Sequence, residues 1–401
     1  MGYRGDAPPR SGIRPMTRIG VDLEQYLIDP QSSGIQRVLQ HLARQWPEDL
    51  AQADFVLPLD DRYLLLSPAE ADTFVSLAFQ AQDGTELRAL VRDFVERFAV
   101  KAAPLDEAEL IDRCDAWLLP EVSYLPSVLQ RFENITQSIP GAMIGYDILP
   151  MSEPANYRLI PGTDGYASEY FRLLATAGSV VCISEHTRSD ICTRLRRDPH
   201  LPISVAHPGG DHVALAEREE PQVANRPTRF LRIGTLEARK SPREIIAGFE
   251  QAIARGANAE LVFIGRPSAS DESINQAMHA AVDRGVGIRW IADADDREVE
   301  RWVRASDVFL SIGVEGYGIP VLEAIRLGTP VVFGGIQPAA ELMIGRGAQP
   351  IEHLTVDAIA EMFATFARPE ARTSIQDSLA PDSVPTWADF TRGVVAGVLS
   401  A

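Results

Sequence analysis

The chain of 401 residues is long for a single domain, and two domains of roughly 150–200 residues each are expected. Its net charge of −18, from 56 acidic and 38 basic residues, argues against general nucleic-acid binding and against broad adhesion to anionic lipid. Three scattered cysteines, Cys114, Cys182 and Cys192, suit neither a disulfide framework nor a zinc site and favour a reducing cytoplasm. No apolar run reaches the ~18 residues of a membrane span.

The first sixteen residues lack the apolar core of a signal peptide, and residues 1–16 are therefore expected to be a flexible leader. A short apolar strand, Ile19–Asp22, follows them. Serine and glycine at positions 32–34 then precede a helical pattern, with a serine placed to cap the helix. A loop of this kind, here ending in Gly34, is a candidate site for an anion or a sugar, although many helices begin in this way without binding anything.

Apolar strands alternate with helical patterns through the rest of the first half. The strands are predicted at Phe55–Leu59, Tyr63–Leu66, Ala116–Leu119, Met143–Ile148, Val180–Ser184 and Ile203–His207. Helical patterns lie between several of them, notably at Glu86–Phe98 and Gly165–Thr176. This alternation favours a largely parallel sheet covered on both faces, and the first domain is assigned to residues 17–215.

A polar, proline-bearing segment without hydrophobic periodicity, residues 217–228, separates the two halves and predicts a linker at 216–228. The second half repeats the pattern more regularly and is assigned to a domain of residues 229–380. Its strands are predicted at Phe230–Gly234, Leu261–Gly265, Ile288–Ala292, Val308–Ile312 and Val331–Phe333, and its helices at Pro242–Ala254, Ser273–Asp283 and Asp296–Ala305. The last segment, residues 381–401, has the pattern of an amphipathic terminal helix.

The stretch from Asp307 to Phe333 combines an apolar strand, a loop with two glycines, a helix start at Pro320 and a second apolar strand. Such a unit is the usual setting of a phosphate site in an α/β protein. Two carboxylates, Glu315 and Glu323, frame the loop and the first helical turn. Acids beside a phosphate site are explained if they accept hydrogen bonds from hydroxyls of a sugar or ribose. The alternative is that Glu323 only favours the helix N-terminus and that Glu315 is solvated.

Other polar groups are expected at the same edge of each predicted sheet. A basic pair, Arg239 and Lys240, follows a strand on the side where open α/β sheets bind ligands. We expect this pair to face the glycine loop and to supply positive charge; the alternative is a solvated pair near a helix start. In the first half, Asp147 closes one strand and a polar glycine turn, His207–His212, follows another. The two carboxyl edges are expected to face each other across a cleft.

Several common motifs are absent from the sequence. No G-x-G-x-x-G follows a strand, which argues against a dinucleotide oxidoreductase, and neither a G-x-x-x-x-G-K-[ST] loop nor a G-x-S-x-G elbow occurs. Asp293 and Asp295 match a D-x-D pattern that can hold a metal–nucleotide, but their position in an acidic turn before a helix favours helix capping. No cluster of histidine and cysteine suggests a transition-metal site.

The glycine-loop unit resembles that of a known family. The E-x7-E motif of the retaining GT-B glycosyltransferases of family 4, the glycosyl transferases group 1, is similar to the run E-G-Y-G-I-P-V-L-E-A that starts at Glu315. The family's G-T-x-E-x-R-K-N segment resembles the run G-T-L-E-A-R-K-S that starts at Gly234. Its glycine loop after the first strand resembles S-G-I-Q-R-V around Gly34. The similarity extends over nearly the whole chain from Thr17 and is specific in the second half.

The resemblance implies an α/β protein of the GT-B fold, with two Rossmann-like doubly wound domains facing across a cleft. Arg239 and Lys240 would hold the donor diphosphate and stabilise it as the leaving group. Glu323 would accept ribose hydroxyls, Glu315 would contact the transferred sugar, and Asp147 would join them on the catalytic side. The residues implied to bind the donor nucleotide sugar through backbone or side chain are Gly34, Gly234, Thr235, Gly316, Tyr317, Gly318 and Ile319.

The sequence departs from the family pattern in three places, one of which is Ser311-Ile312 where the family has proline and serine before the E-x7-E motif. Tyr146 stands where the family offers a histidine before the aspartate, which puts an acceptor-side catalytic histidine in doubt. Ser241 replaces the asparagine that usually follows the lysine. The acceptor is expected to enter from the first domain, past Gly34, Tyr146 and Asp147.

The resemblance therefore implies a metal-independent, retaining transferase without a further cofactor. It would move a hexose, of mannose or rhamnose type, from a nucleoside diphosphate sugar to a saccharide or lipid-linked saccharide in surface polysaccharide biosynthesis. The protein is expected in the cytoplasm, without nucleic-acid partners and with room for peripheral contact at the inner face of the membrane. The alternatives are a catalytically silent nucleotide-sugar or saccharide-binding protein and a nucleotide-sugar hydrolase or epimerase of the same fold.

Overall fold

The computed structural model describes residues 16–152, 164–215 and 226–401. The leader expected at residues 1–16 lies outside the described residues apart from Met16. The linker expected at 216–228 lies outside them as far as residue 225. In the described ranges the chain forms two α/β units, each built on one sheet.

The first unit contains a mixed sheet. Its strands are β1 (Arg18–Asp22), β2 (Gln52–Leu59), β3 (Arg62–Leu66), β4 (Ala116–Leu119), β5 (Gly141–Gly145), β6 (Ser179–Cys182) and β7 (Ile203–Val205). They lie in the order β3-β2-β1-β4-β5-β6-β7, and every neighbouring pair is parallel except the β2–β3 hairpin. The helices are α1 (Glu24–Ile28), α2 (Gly34–Arg44), α3 (Pro68–Ser76), α4 (Gly84–Ala99), α5 (Glu107–Arg113), α6 (Pro126–Thr136), α7 (Leu149–Ser152), α8 (Asp164–Thr176) and α9 (Glu185–Arg194).

The second unit contains a fully parallel sheet. Its strands are β8 (Thr228–Ile233), β9 (Ala259–Ile264), β10 (Ile288–Ile291), β11 (Val308–Val314), β12 (Val331–Ile336) and β13 (Ala348–Pro350), in the order β10-β9-β8-β11-β12-β13. The helices are α10 (Pro242–Ala254), α11 (Glu272–Asp283), α12 (Asp296–Arg304), α13 (Ile319–Arg326), α14 (Pro338–Leu342), α15 (Val356–Phe366), α16 (Pro369–Asp377) and α17 (Trp387–Val398). Across the described ranges, no helix combines the length and the apolar character that a membrane crossing needs.

Both sheets are built from short apolar runs of sequence whose side chains are buried on both faces of the sheet. β5 is buried along its whole length, and β11 is buried except at its last residue. The strand order reverses between β1 and β4 and again between β8 and β11, which is the doubly wound arrangement. The predicted α/β class with two Rossmann-like units is therefore confirmed. Several strand boundaries differ by two or three residues: β5 ends at Gly145 rather than at the predicted Ile148, and β12 continues to Ile336 rather than ending at Phe333.

The terminal helix α17 returns to the first unit. The Ser179 hydroxyl on β6 donates to the Gly397 carbonyl at 2.8 Å, and the Thr391 hydroxyl donates to the Gln45 carbonyl after α2 at 2.9 Å. The segment that leaves the first unit, around Gly210, and the segment that returns to it, around Pro385, lie side by side, since the Gly210 amide donates to the Pro385 carbonyl at 3.0 Å. We call these two adjacent segments the double crossing; it packs directly on α13, next to the candidate site.

Candidate functional site

The candidate site lies where β8 and β11 end side by side, at the reversal of the second sheet. β8 leads into a 3-10 turn, Ala238–Lys240, and β11 leads into the loop at residues 315–318. Gly313 has φ +111°, and a Cβ atom there would collide with the carbonyl oxygen of Arg239. Glycine alone permits this approach, so the sequence brings the basic turn against the strand that precedes the loop.

Three cations surround the Glu315 carboxylate. A guanidinium nitrogen of Arg239 lies 2.8 Å from Oε2, and the Lys240 Nζ lies 3.2 Å from Oε1. Arg232 on β8 approaches Oε1 at 3.9 Å. The structure thus places the basic pair against the loop, where the sequence predicts it. Arg232 is not among the predicted site residues, and its one signal is a charged residue within the apolar stretch Phe230–Ile233.

The charges of this cluster are strongly coupled. Burial would raise the pKa of Glu315, but Lys240, Arg239 and Arg232 together lower it to about 2, and the carboxylate is ionised at neutral pH. Burial lowers the pKa of the Lys240 ammonium, while Glu315 opposes this effect. Glu237 also pairs with Arg239, at 2.6 Å. Three cations against two carboxylates leave one net positive charge, which favours an anion at this edge of the sheet.

The loop after Glu315 presents backbone amides to the same space. Gly318, with φ +104°, precedes α13 and gives the helix no side-chain cap. Pro320 has no N–H, and the Val321 amide donates to the Gly318 carbonyl at 3.0 Å. The Ile319 amide and those of loop residues 316–318 are therefore the candidates to bind phosphate or sugar oxygens. Tyr317 is buried, and its hydroxyl donates to the Pro208 carbonyl at 2.9 Å. Its side chain thus holds the loop against the first unit.

The first unit closes the site from the opposite side. Asp147 lies against Gly316, where any Cβ atom would collide with its carboxylate. Gly34 faces α13, since a Cβ atom there would lie 3.8 Å from the Ile319 Cδ1. Residues of the connection between β8 and α10, namely Gly234, Thr235, Glu237 and Lys240, line one small pocket of the second unit. Predicted residues from both halves are therefore brought together in one cleft.

The side chains of Tyr146 and Asp147 differ in their burial and in their hydrogen-bond partners. The Tyr146 hydroxyl is buried and donates to the Pro120 carbonyl at 2.7 Å, and burial raises its pKa well above the ordinary value. Asp147 is half-buried, and its Oδ1 accepts from the Leu149 amide at 3.0 Å. Burial raises the pKa of Asp147, although the Leu149 amide opposes the rise. At this strand end Asp147 faces the cleft, and Tyr146 serves the packing of the first unit.

Glu323, the second carboxylate of the motif, is bonded to a residue that sequence reasoning does not single out. The His212 Nε2 lies 2.7 Å from Glu323 Oε1. Burial would raise the pKa of Glu323, but the hydrogen bond with His212 and the charge of Arg37 lower it. The polar glycine turn His207–His212 is visible in the sequence, but nothing in that turn indicates that His212 contacts Glu323, 111 residues away.

Glu121 is a buried carboxylate at the carboxyl edge of the first sheet. It follows β4, where the strand order reverses, and it is 1% exposed. Its Oε1 accepts from the Gln36 amide at 2.7 Å, while no donor within the described part of the chain reaches Oε2. Burial raises the pKa of Glu121 to about 8, although the Gln36 hydrogen bond opposes the rise and Asp22 adds to it. The carboxyl therefore keeps its proton at neutral pH.

Replacing Glu121 by glutamine is expected to remove a pH dependence of stability. The folded pKa of about 8 lies above the ordinary value of 4.5, so the unfolded chain releases a proton that the folded chain keeps between these pH values. The stabilising contribution is complete below pH 4.5 and is lost as pH rises to about 8. Relative to Glu121→Gln, the unmodified protein should lose about 1.4 kcal/mol of unfolding free energy per pH unit in this window. Urea unfolding across the window measures the difference, and curves that stay parallel would contradict a buried proton.

The acidic turn before α12 has a structural role. Asp295 accepts a hydrogen bond from the Glu298 amide at 2.7 Å and caps the helix, which confirms the capping interpretation for this residue. Residues 16–152, 164–215 and 226–401 contain no group of three or more histidine, cysteine or acidic side chains arranged to hold a metal ion.

Comparison of the sequence with known proteins gives a family match in the second half. Residues 215–361 match the family model described as glycosyl transferases group 1. The serotype-specific mannosyltransferase WbdA of Escherichia coli is 23% identical over 257 residues, which cover 59% of this chain and 31% of the relative. This chain thus spans about a third of the length of the curated relatives it matches.

Comparison of the structure with solved structures identifies the fold. Anabaena Alr3699/HepE, solved in complex with UDP and glucose, aligns with a TM-score of 0.60 at 15% identity, covering 96% of this chain and 100% of that protein. WaaG, a glycosyltransferase involved in lipopolysaccharide biosynthesis, aligns with a TM-score of 0.60 at 11% identity, covering 94% and 99%. The chain therefore has the GT-B fold, as the resemblance at Glu315 implies, and its residues 215–361 match the glycosyl transferases group 1 model.

Proposed function

We propose that this protein transfers a hexose, of mannose or rhamnose type, from a nucleoside diphosphate sugar to a saccharide or lipid-linked saccharide acceptor in surface polysaccharide biosynthesis. The observation that carries the proposal is the cluster of Arg232, Arg239 and Lys240 beside the uncapped start of α13. The glycosyl transferases group 1 match supports the transferase class, and the WbdA relatives support a mannose-type sugar. The UDP complex of HepE supports a nucleotide donor.

In the proposed reaction the bond between the anomeric carbon and the diphosphate breaks, and negative charge develops on the departing diphosphate. Arg239 and Lys240, with the amides of residues 316–319, are preorganised to stabilise that charge. Because fixed cations and amides meet it, the reaction requires no divalent metal and no further cofactor. Glu315 orders the cations and contacts the transferred sugar, and Glu323 accepts hydroxyls of the donor ribose.

The acceptor enters from the first unit, past Gly34 and Asp147. Its hydroxyl oxygen bonds to the anomeric carbon on the face from which the diphosphate departs and gives its proton to an oxygen of that diphosphate, so that the product retains the anomeric configuration of the donor. Asp147, which lies against Gly316 and whose pKa burial raises, interacts with the incoming hydroxyl in this proposal. A lipid-linked acceptor would bring the protein from the cytoplasm to the inner face of the membrane.

The full-length protein should turn over one nucleotide sugar of a panel of UDP, GDP and TDP donors, and only when a saccharide acceptor is present. A new glycosidic product with retained configuration, formed equally with and without a chelator, is the expected result. Because the structure provides cations and amides for the leaving group, removal of divalent metal should leave the rate unchanged.

The alternatives give different outcomes in the same assay. Free sugar formed without acceptor would indicate hydrolysis, and a new nucleotide sugar would indicate epimerisation. Binding of a nucleotide, seen as a raised melting temperature without turnover, would indicate a silent binding protein. Loss of activity with chelator would contradict the metal-independent mechanism.

A further inference from the structure

His212 lies between the donor-side helix α13 and the double crossing of the chain. Its Nε2 is 2.7 Å from the Glu323 Oε1, and its Nδ1 is 3.1 Å from the Trp387 Nε1. An indole N–H can only donate, so Nδ1 must accept. In the neutral ring the proton then lies on Nε2, which donates to the Glu323 carboxylate. Trp387 therefore selects the tautomer that His212 presents to Glu323.

The surroundings of His212 leave it little freedom. Its side chain is 9% exposed, and Trp387 is fully buried. His41 of α2 stacks on the Trp387 ring with centroids 4.3 Å apart and planes 7° apart. The Trp387 amide also donates to Asp211 Oδ1 at 2.8 Å, which ties the start of α17 to the residue before His212. The imidazole is thus fixed by α2, by α17 and by its own chain segment.

Glu323 is fixed on one side and open on the other. Its side chain is 23% exposed, more than the 9% of its partner, and its Oε1 is occupied by His212. A carboxylate has more lone pairs than one donor uses, and a bond to one oxygen orients the remaining acceptor positions. Gly210, two residues before His212, packs so tightly on α13 that a Cβ atom there would collide with Leu322. This contact fixes the residue before Glu323 against the double crossing, so the Glu323 carboxylate stays within reach of His212.

We propose that His212 is a positioning residue for donor recognition: it aims the Glu323 carboxylate at the ribose hydroxyls of the nucleotide, with Trp387 fixing its tautomer. The inference rests on the proposed function, in which Glu323 accepts these hydroxyls. His212 itself does not touch the donor. Its effect should therefore appear in the recognition of the ribose and not in the binding of phosphate.

Two substitutions test the contributions of the two ring nitrogens of His212 separately. His212→Gln places an amide nitrogen near the Nε2 position and keeps a donor for Glu323. His212→Asn places its amide near the Nδ1 position, where it still accepts from Trp387 but falls short of Glu323. Both are small enough for the buried site. His200→Gln, at an exposed histidine of the first unit, is the matched control.

The test is the affinity of the full-length protein for a ribonucleoside diphosphate and for its 2′,3′-dideoxy analogue, measured by calorimetry with UDP and GDP. The unmodified protein should prefer the ribonucleotide, and His212→Asn should lose about tenfold or more of that preference, as expected for a hydrogen bond to a charged group. His212→Gln and His200→Gln should keep it within about threefold. The ratio of the two affinities within each variant cancels any general loss of folded protein.

Two results would overturn the inference, and they have different meanings. If His212→Asn keeps the full preference for ribose, His212 does not position Glu323, while the proposed function stands. If the unmodified protein binds neither nucleotide, the donor site itself is wrong and the proposed function falls with the inference. A loss of preference in His212→Asn that His212→Gln restores supports the role.

Discussion

Replacing Lys240 by alanine should lower kcat for sugar transfer by about 10²–10³-fold, the cost of removing one preorganised group that stabilises developing negative charge. The Nζ of Lys240 lies 3.2 Å from Glu315 and beside Gly234, so it is fixed before the donor arrives. KM for the donor should change less than kcat, because in the proposed reaction the charge on the diphosphate grows as its bond to the anomeric carbon breaks. Steady-state kinetics with the donor identified in the nucleotide-sugar panel measures both constants.

The fold should survive this substitution. The cluster holds three cations against the carboxylates of Glu237 and Glu315, so removing the Lys240 ammonium, whose pKa burial lowers, leaves the remaining charges balanced. Glu315 keeps its pair with Arg239 at 2.8 Å. An unchanged urea midpoint together with the loss of kcat is therefore expected.

The chain offers a matched control, since Lys101 and Lys240 are its two lysines. Lys101 is exposed and follows α4, away from the cleft. Lys101→Ala should leave kcat and KM unchanged. A Lys240→Ala variant with unmodified kcat would remove Lys240 from the leaving-group site, and an equal loss in both variants would point to an effect of net charge.

The fold and half of the site could be predicted because they depend on local patterns. Apolar runs with glycine and proline at their ends fix β11, the loop and α13 in sequence, and the rule for carboxyl edges brings Arg239 and Lys240 to the same loop. The turn at Ala238–Lys240 can approach β11 closely because Gly313 has no Cβ atom to collide with it. In these cases the sequence near each residue contains the cause of its position.

The rest of the site depends on which way a side chain points and on what lies across the cleft. Tyr146 has a cleft position in the motif, but its hydroxyl reaches the Pro120 carbonyl inside the first unit. Arg232 lies in an apolar strand, and its neighbour Glu315 is 83 positions away in the chain. His212 is hydrogen-bonded both to Trp387 of the terminal helix and to Glu323 of α13, so its position depends on two distant elements. No periodicity in the sequence encodes such pairs, because register between distant elements is set by packing.

Replacing Glu315 by glutamine should destabilise the protein by about 3–5 kcal/mol at neutral pH, the range for removing one partner of a buried ionic group. Glutamine keeps the shape of the side chain but removes the charge that balances Arg232, Arg239 and Lys240. These cations would then repel one another in a site from which water is largely excluded. Urea unfolding at pH 7 measures the loss, and Glu352→Gln, at an exposed glutamate of the same unit, should be nearly neutral.

The pH dependence of this loss identifies its cause. The pKa of Glu315 is lowered from 4.5 to about 2, so the carboxylate stabilises the folded state fully above pH 4.5 and loses this contribution as pH falls toward 2. The gap between the unmodified protein and Glu315→Gln should therefore be constant from neutral pH to about 4.5 and should close below it. Removing Lys240 as well should reduce the gap at pH 7, because one of the unbalanced cations is then absent. A gap that persists unchanged at pH 3, or that the second substitution does not reduce, would mean that Glu315 stabilises the fold by packing and not by its charge, and the cations would need another partner to remain buried together.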